Sequence, residues 1–181
     1  MHRLLQDLHR DHGNLERVLC LLERQLHLIR AGEHADLFML CEVVDYVQNY
    51  PDRIHHPRED LVYAVFRERN PGHGALVERL LEEHRTLLAS TAELKASLDQ
   101  WQSDSPLPRE LVVARISNYL RLQREHLQRE EREIYGLLAE GLEDADWERI
   151  EASMPPGTDP LFGDPSRRRY ETLYGAASHC A

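Results

Sequence analysis

Six side chains of this 181-residue chain have the types and the spacing to hold metal ions. His55 and Glu59 form a His-x-x-x-Glu pair, and His126 and Glu130 form a second. Residues four apart lie on one face of a helix, about 6 Å along its axis, so each pair can grip one site. Two single histidines, His12 and His84, stand at seam positions where leucine would otherwise sit. His12 and His55 are 43 residues apart, and His84 and His126 are 42 apart. The chain therefore reads as one helical hairpin used twice, with a single His on the first arm and His-x-x-x-Glu on the second.

Buried without metal, such a set would be a polar layer, and desolvating two carboxylates without full pairing costs several kcal/mol. Divalent or trivalent cations convert that cost into coordination. Four nitrogens to two carboxylates suit iron and disfavour magnesium or calcium, while zinc and manganese also accept these ligand types. A single catalytic zinc would use three protein ligands and leave half of the layer unexplained.

The elements that must position these residues are helices. Leu5, Leu8, His12, Leu15, Leu19, Leu22, Leu26 and Ile29 recur in steps of three and four, and Gly32 is the expected stop. A second segment runs from about Asp36 to Arg69 and ends at Asn70-Pro71-Gly72. A third carries Val77, Leu80, His84, Leu87, Thr91, Leu94, Leu98 and Trp101, and ends at the proline-rich stretch 103–108. The fourth, from about Arg109 to Glu140, carries Val112, Ile116, Tyr119, His126, Glu130, Ile134 and Leu137. Short connections predict an all-α, up-down-up-down antiparallel four-helix bundle over residues 1–143. Residues 144–181 are expected to form a short helix capped by Asp144 and a tail packed on the bundle through Leu161, Phe162, Tyr170 and Leu173. Asp164-Pro165 would start one last helical segment. His12 and His55 lie 20 and 23 residues either side of Gly32, His84 and His126 each lie 21 from Ser105, and Glu59 and His84 lie 12 and 13 from Pro71. In an antiparallel bundle, equal distance from a turn is equal height, so all six donors fall in one layer.

The single His12, "HHPRED" with His55 and Glu59, "EEHRTL" with His84, and "HLQREE" with His126 and Glu130 resemble the hemerythrin-like (HHE cation-binding) domain family, over roughly residues 4 to 140. The resemblance implies two non-haem irons, with Glu59 and Glu130 bridging them and the histidines terminal. It also implies that Pro57, within the motif, marks a kink or bulge in a continuous helix. Oxygen-carrying members have a fifth terminal His on the third helix, but here Leu80 and Leu88 flank His84 at four residues. His56 and Glu131 each point about 100° from a ligand on a regular helix. Whether His56, His9 or Glu131 adds a seventh ligand stays open. Four His, two bridging Glu and an oxo or hydroxo bridge leave two positions free on two six-coordinate irons, which favours reaction with O2, NO or peroxide. The ligand set is also similar to that of bacterial iron-centre repair proteins, whose N-terminal cysteine-bearing segment is not seen before the first helix here.

The net charge of -10 and pI near 5.5 argue against a nucleic-acid backbone or an anionic membrane as partner. No apolar run at the N-terminus reads as a signal peptide or a spanning helix. Cys20, Cys41 and Cys180 are odd in number and far apart, so reduced thiols in a cytoplasmic protein are expected. His2, His9, His27, His34, His73 and His179 are read as surface or rim residues. Tyr119 is read as core, and the arginines at 167–169 as a solvated helix face. Asp60 and Glu131 are either acceptors that orient a ligand His or solvated charges. The expected function is a di-iron protein that binds or senses O2, NO or peroxide. The alternatives are a redox enzyme, a peroxidase or an NO/O2 reductase needing an electron donor, and a repair or iron-responsive interaction module. Oligomeric state is not specified.

Overall fold

A computed structural model describes residues 2–103, 107–163 and 170–180. The expected turn centre at Ser105, the helix start at Asp164-Pro165 and the arginines at 167–169 lie outside the described residues. Among the described residues there are helices and no strand. In order they are α1 (Arg3–Ala31), α2 (Leu37–Asn49), α3 (His56–Arg69), α4 (Gly74–Gln102), α5 (Arg109–Arg129), α6 (Tyr135–Gly141), α7 (Asp144–Ser153) and α8 (Glu171–Ala177). Two π-turns, Pro51–His55 and Glu130–Ile134, join α2 to α3 and α5 to α6. The main body is thus four rods.

Local chemistry sets the rod ends. His2 Nδ1 accepts the Leu4 N–H at the start of α1, and Asp36 Oδ1 accepts the Met39 N–H at the start of α2. At the end of α1, Gly32 takes a left-handed φ of 77°, and the N–H groups of Gly32 and Glu33 close on the carbonyls of Ile29 and Leu28. Asn70-Pro71-Gly72 ends the second rod, and a 3-10 turn at Pro71–His73 reverses the chain into α4.

Side-chain contacts run in opposite order along neighbouring rods. Asp11 meets Tyr50 while Gln25 meets Asp36, so α1 and α2 point opposite ways. Glu23 meets Arg124 and Arg30 meets Ser117 between α1 and α5. Asp60 meets His84 and Arg67 meets Glu78 between α3 and α4. The apolar seams gather into two separate clusters. One surrounds Leu15 to Ile29 of α1, Met39 to Tyr50, Leu94, Leu98 and Val112 to Leu127. The other holds Leu5, Leu8, Val62, Tyr63, Phe66, Val77, Leu80, Ile134 and Leu138. His12, Glu59, His84, His126 and Glu130 fall at the chain heights between them, so an apolar plug lies on either side of the polar layer.

The C-terminal part packs on this body. Glu143, not Asp144, caps α7: its side chain accepts from the backbone of Asp146, whose carboxylate in turn accepts the Glu143 N–H at 3.0 Å. Arg69 Nε also donates to Asp146, at 2.8 Å, which fixes α7 to the end of α3. Leu161, Tyr170 and Leu173 are buried in the larger cluster and Phe162 packs against it, as the sequence suggests.

The cysteines correct the sequence reading. Cys20 on α1 and Cys180 just after α8 form a disulfide, with their Cα atoms 6.0 Å apart, and Cys41 alone is free and half-buried. The tail helix docks on α1 and brings together two thiols that are 160 residues apart in sequence, which spacing alone does not reveal. A crosslink closing so long a loop restricts the unfolded chain, and such bonds contribute about 2–4 kcal/mol. Cys180→Ser is therefore expected to lower the unfolding free energy by about 2–4 kcal/mol, and with it the denaturation midpoint read by circular dichroism. An unchanged midpoint would show that the bond does not restrain the chain.

Candidate metal centre

The second rod departs from α-geometry at the site. The N–H of His55 bonds to the Tyr50 carbonyl and that of His56 to the Pro51 carbonyl, each five residues back. Pro51 opens this π-turn and Pro57 lies in the first turn of α3, positions where a fixed φ and a missing N–H are tolerated. His55 and His56 are both buried, on either side of Glu59. The fourth rod has its π-turn just after His126, with the Tyr135 N–H bonded to the Glu130 carbonyl. Such turns occur often at functional sites, since one extra residue re-aims the side chains that follow.

The six expected residues converge. His12 Nε2 lies 3.4 Å from Glu59 Oε1 and 3.3 Å from Glu130 Oε2. His55 Nε2 lies 3.4 Å from Glu59 Oε2. His84 Nε2 lies 3.3 Å from Glu130 Oε1, 3.5 Å from Glu59 Oε2 and 3.1 Å from His126 Nε2. His126 Nε2 lies 3.2 Å from Glu130 Oε2. Glu59 and Glu130 are both 0 % exposed, so four rods hold two carboxylates entirely out of water.

A seventh residue joins them. His56 is buried and stacks on His84 with ring centres 4.5 Å apart. Two groups of donor atoms could each hold an ion: His12, His55 and Glu59 on one side, and His56, Glu59, His84 and His126 on the other. Glu59 belongs to both. His56 stands where the sequence shows no fifth histidine on the third helix. The signal was present, because Glu59 follows His56 by three residues as well as His55 by four, and so faces both. Glu131 and His9 do not enter the layer. Both are largely solvent-facing, and Glu131 Oε1 lies 3.4 Å from His9 Nδ1 and 3.4 Å from His12 Nδ1.

Four of the five imidazoles have a carboxylate acceptor behind them. Nδ1 faces Glu131 in His12 at 3.4 Å, Asp11 in His55 at 3.3 Å, Asp60 in His84 at 2.6 Å and Glu83 in His126 at 3.2 Å. In His56 the nearest carboxylate, Asp52, is 3.7 Å away, too far for a hydrogen bond. Ionised carboxylates only accept, so in the other four Nδ1 carries the proton and Nε2 is turned inward. Asp60 and Glu131 thus orient imidazoles and are not merely solvated charges. Asp11 is shared with Tyr50, whose hydroxyl donates to it at 2.6 Å. This is the outer ring of acceptors that metal-binding histidines use to fix ring orientation.

Two tyrosines enter the layer that the sequence seams did not mark. Tyr63 donates to Glu130 Oε1 at 2.6 Å. Tyr135 donates to Glu59 Oε1 at 3.0 Å, and its oxygen lies 3.1 Å from His12 Nε2. Tyr119, by contrast, is a core residue that accepts from Gln123 Nε2.

Without a cation, protons hold this layer together. Burial works against charge on His84, yet Asp60 and Glu130 push its pKa up to about 10. Burial likewise opposes a charged His12, and Glu130, Glu131 and Glu59 outweigh it to raise that group well above its ordinary value. Burial would raise Glu130, but His126, His12 and His84 hold it well below the usual carboxylate range. His56, starved of water and beside other imidazoles, is held well below its ordinary value and stays neutral. His56 Nε2 makes no hydrogen bond, and Glu59 Oε2 and Glu130 Oε2, although 3.2–3.5 Å from imidazole nitrogens, make none of good geometry. Buried polar atoms are rarely left so, and one nitrogen with two carboxylate oxygens is the chemistry a transition metal takes. The residues fit a metal.

An all-helical body with a buried histidine–carboxylate layer defines a class of metal-binding bundles. The Hemerythrin HHE cation binding domain description matches residues 3–138, and the chain belongs to that family. No curated protein matches it. No helix among the described residues is long and apolar enough to cross a membrane.

Two outcomes follow. Removing the acceptor behind His84 by Asp60→Asn should weaken metal affinity by about 10–100-fold in a competition titration against a chromophoric chelator. Equal affinity would reduce Asp60 to a surface charge. Since His12 and His84 carry protons that a cation must displace, metal loading near pH 7 should release protons into a weakly buffered dye solution, and uptake should weaken as the pH falls. Loading without proton release would contradict the raised values.

Proposed function

We propose that the layer holds two iron ions and that the protein binds or senses O2, NO or peroxide through them. The observation that carries this reading is the pair of donor groups sharing Glu59, with buried atoms that make no hydrogen bond of good geometry in both. His12 and His55 would hold one ion, and His56, His84 and His126 the other, with Glu59 and Glu130 common to both. Nitrogen-rich ligation supports iron over magnesium or calcium. When bound, such a pair supplies ferrous–ferric redox chemistry and a coordination position for a small ligand.

The chain's own residues do the rest. Four outer carboxylates keep Nε2 of His12, His55, His84 and His126 aimed inward, and Tyr63 ties Glu130 in place. The apolar clusters on both sides keep bulk water from competing for the donors. A surface pocket of about 200 Å³, lined by Asp52, His56, Asp60, Leu81, His84 and Leu88, reaches the layer on the side with three histidines. With His56 included, five nitrogens replace the four expected from the sequence, and one position stays free instead of two. It lies on the side with two histidines. A single free position supports binding over turnover.

Aerobic iron loading followed by elemental analysis and an optical spectrum tests this. Two irons per chain are expected, with the spectrum shifting on addition of NO to the reduced protein. Glu59→Gln keeps shape but removes the shared charge, and its iron content should fall below one per chain. Wild type with one iron or fewer, or an unchanged content in the variant, would overturn the two-ion reading. Peroxide consumption with a reductant above that of free iron would instead support the redox enzyme.

A further inference from the structure

We propose that the Tyr135 hydroxyl oxygen is itself a metal donor, filling the position left free on the His12–His55 side. The inference rests on the two-ion reading above. Its first support is distance. Metal–donor bonds of about 2.1 Å at right angles place neighbouring donors roughly 3 Å apart. The Tyr135 oxygen stands 3.1 Å from His12 Nε2 and 3.0 Å from Glu59 Oε1, and His12 and Glu59 belong to the same donor group. His12 Nε2 and Glu59 Oε1 are 3.4 Å apart, so the three atoms make a triangle with the edges of an octahedral face.

The second support is the backbone. Tyr135 follows Glu130 by five residues, which on a regular helix would turn it about 140° away. The π-turn between them returns it to the same face. This distortion carries no proline, unlike the one in the second rod, and what it achieves at the site is the inward aim of Tyr135. The ring is then held by stacking on His12, with centres 5.2 Å apart and planes 22° from parallel.

Third, the site is asymmetric. Three histidines gather on one side and two on the other, and Tyr135 stands on the side with two. Tyr63 differs, since its hydroxyl touches Glu130 and sits against the three-histidine side. On coordination the phenol O–H bond breaks, an oxygen–metal bond forms and the proton leaves to the solvent, with no change in oxidation state. An incoming small ligand would then have to displace Tyr135, so this residue would set how readily the ion is reached.

The test is the visible and resonance Raman spectrum of the aerobically iron-loaded full chain, with Tyr135→Phe and Tyr63→Phe beside it. The wild type should show a phenolate-to-iron charge-transfer band with enhanced tyrosine ring vibrations. Per bound iron, both should vanish in Tyr135→Phe and persist in Tyr63→Phe, with unchanged helical circular dichroism in all three. NO should bind the reduced Tyr135→Phe protein faster than the wild type. Two irons without the band, or a band that survives Tyr135→Phe, would overturn Tyr135 ligation and leave the metal centre standing. Failure of the wild type to take up metal would overturn both.

Discussion

The structure turns on two glutamates placed where no water can reach them. A carboxylate in so dry a setting costs several kcal/mol unless charge of the opposite sign or hydrogen-bond donors surround it. Around Glu59 and Glu130 the chain places five imidazoles and two phenols, each from a defined rod. The requirement then spreads outward. An imidazole that carries a proton, or holds a cation, needs an acceptor on its other nitrogen, and Asp11, Asp60, Glu83 and Glu131 supply one each to His55, His84, His126 and His12. Arg129 in turn binds Glu83 at 2.7 Å, so the order passes through to the surface.

Four regular helices could not meet this demand. A straight rod presents a stripe in steps of three and four, so two adjacent residues point well apart. Adjacent His55 and His56 can straddle Glu59 through spacings of four and three, but bringing Tyr135 to the face of Glu130 takes a local change of helical pitch. Both π-turns lie on the arms that carry the His-x-x-x-Glu pairs, and the described parts of the other two rods are regular. The prolines of the second rod belong to this device. Pro51 begins the π-turn and Pro57 follows it, each where its missing N–H is tolerated. Departure from ideal geometry here is what lets the donors meet.

Much of this was legible in the residues. The spacing arithmetic placed His12, His55, Glu59, His84, His126 and Glu130 at one height because rigid rods conserve axial distance. The seams of α1 and α4 matched burial almost residue for residue, since those rods are regular. Legibility failed where the pitch changes. Leu137, on the extrapolated seam of the fourth segment, is half-buried, while Leu138 is fully buried, because the π-turn shifts the phase by a residue. Tyr135 was hidden for the same reason, whereas His56 was legible in its three-residue spacing to Glu59. The α7 cap was misplaced by one residue because Glu143, Asp144 and Asp146 all offer cap-type oxygens, and only the packing of Arg69 on Asp146 separates them. The partner of Cys20 could not be read at all, since it depends on where a tail lands.

That last contact has a wider consequence. By joining the first helix to the end of the last, the Cys20–Cys180 bond turns nearly the whole polypeptide into a covalent ring that contains three of the four metal-facing rods outright and the end of the first, with His12 just outside it. A single backbone cut anywhere between the two sulfurs would open the ring without releasing either piece. Damage to an interhelical loop would thus leave the halves tethered at high local concentration, able to close again around the same core.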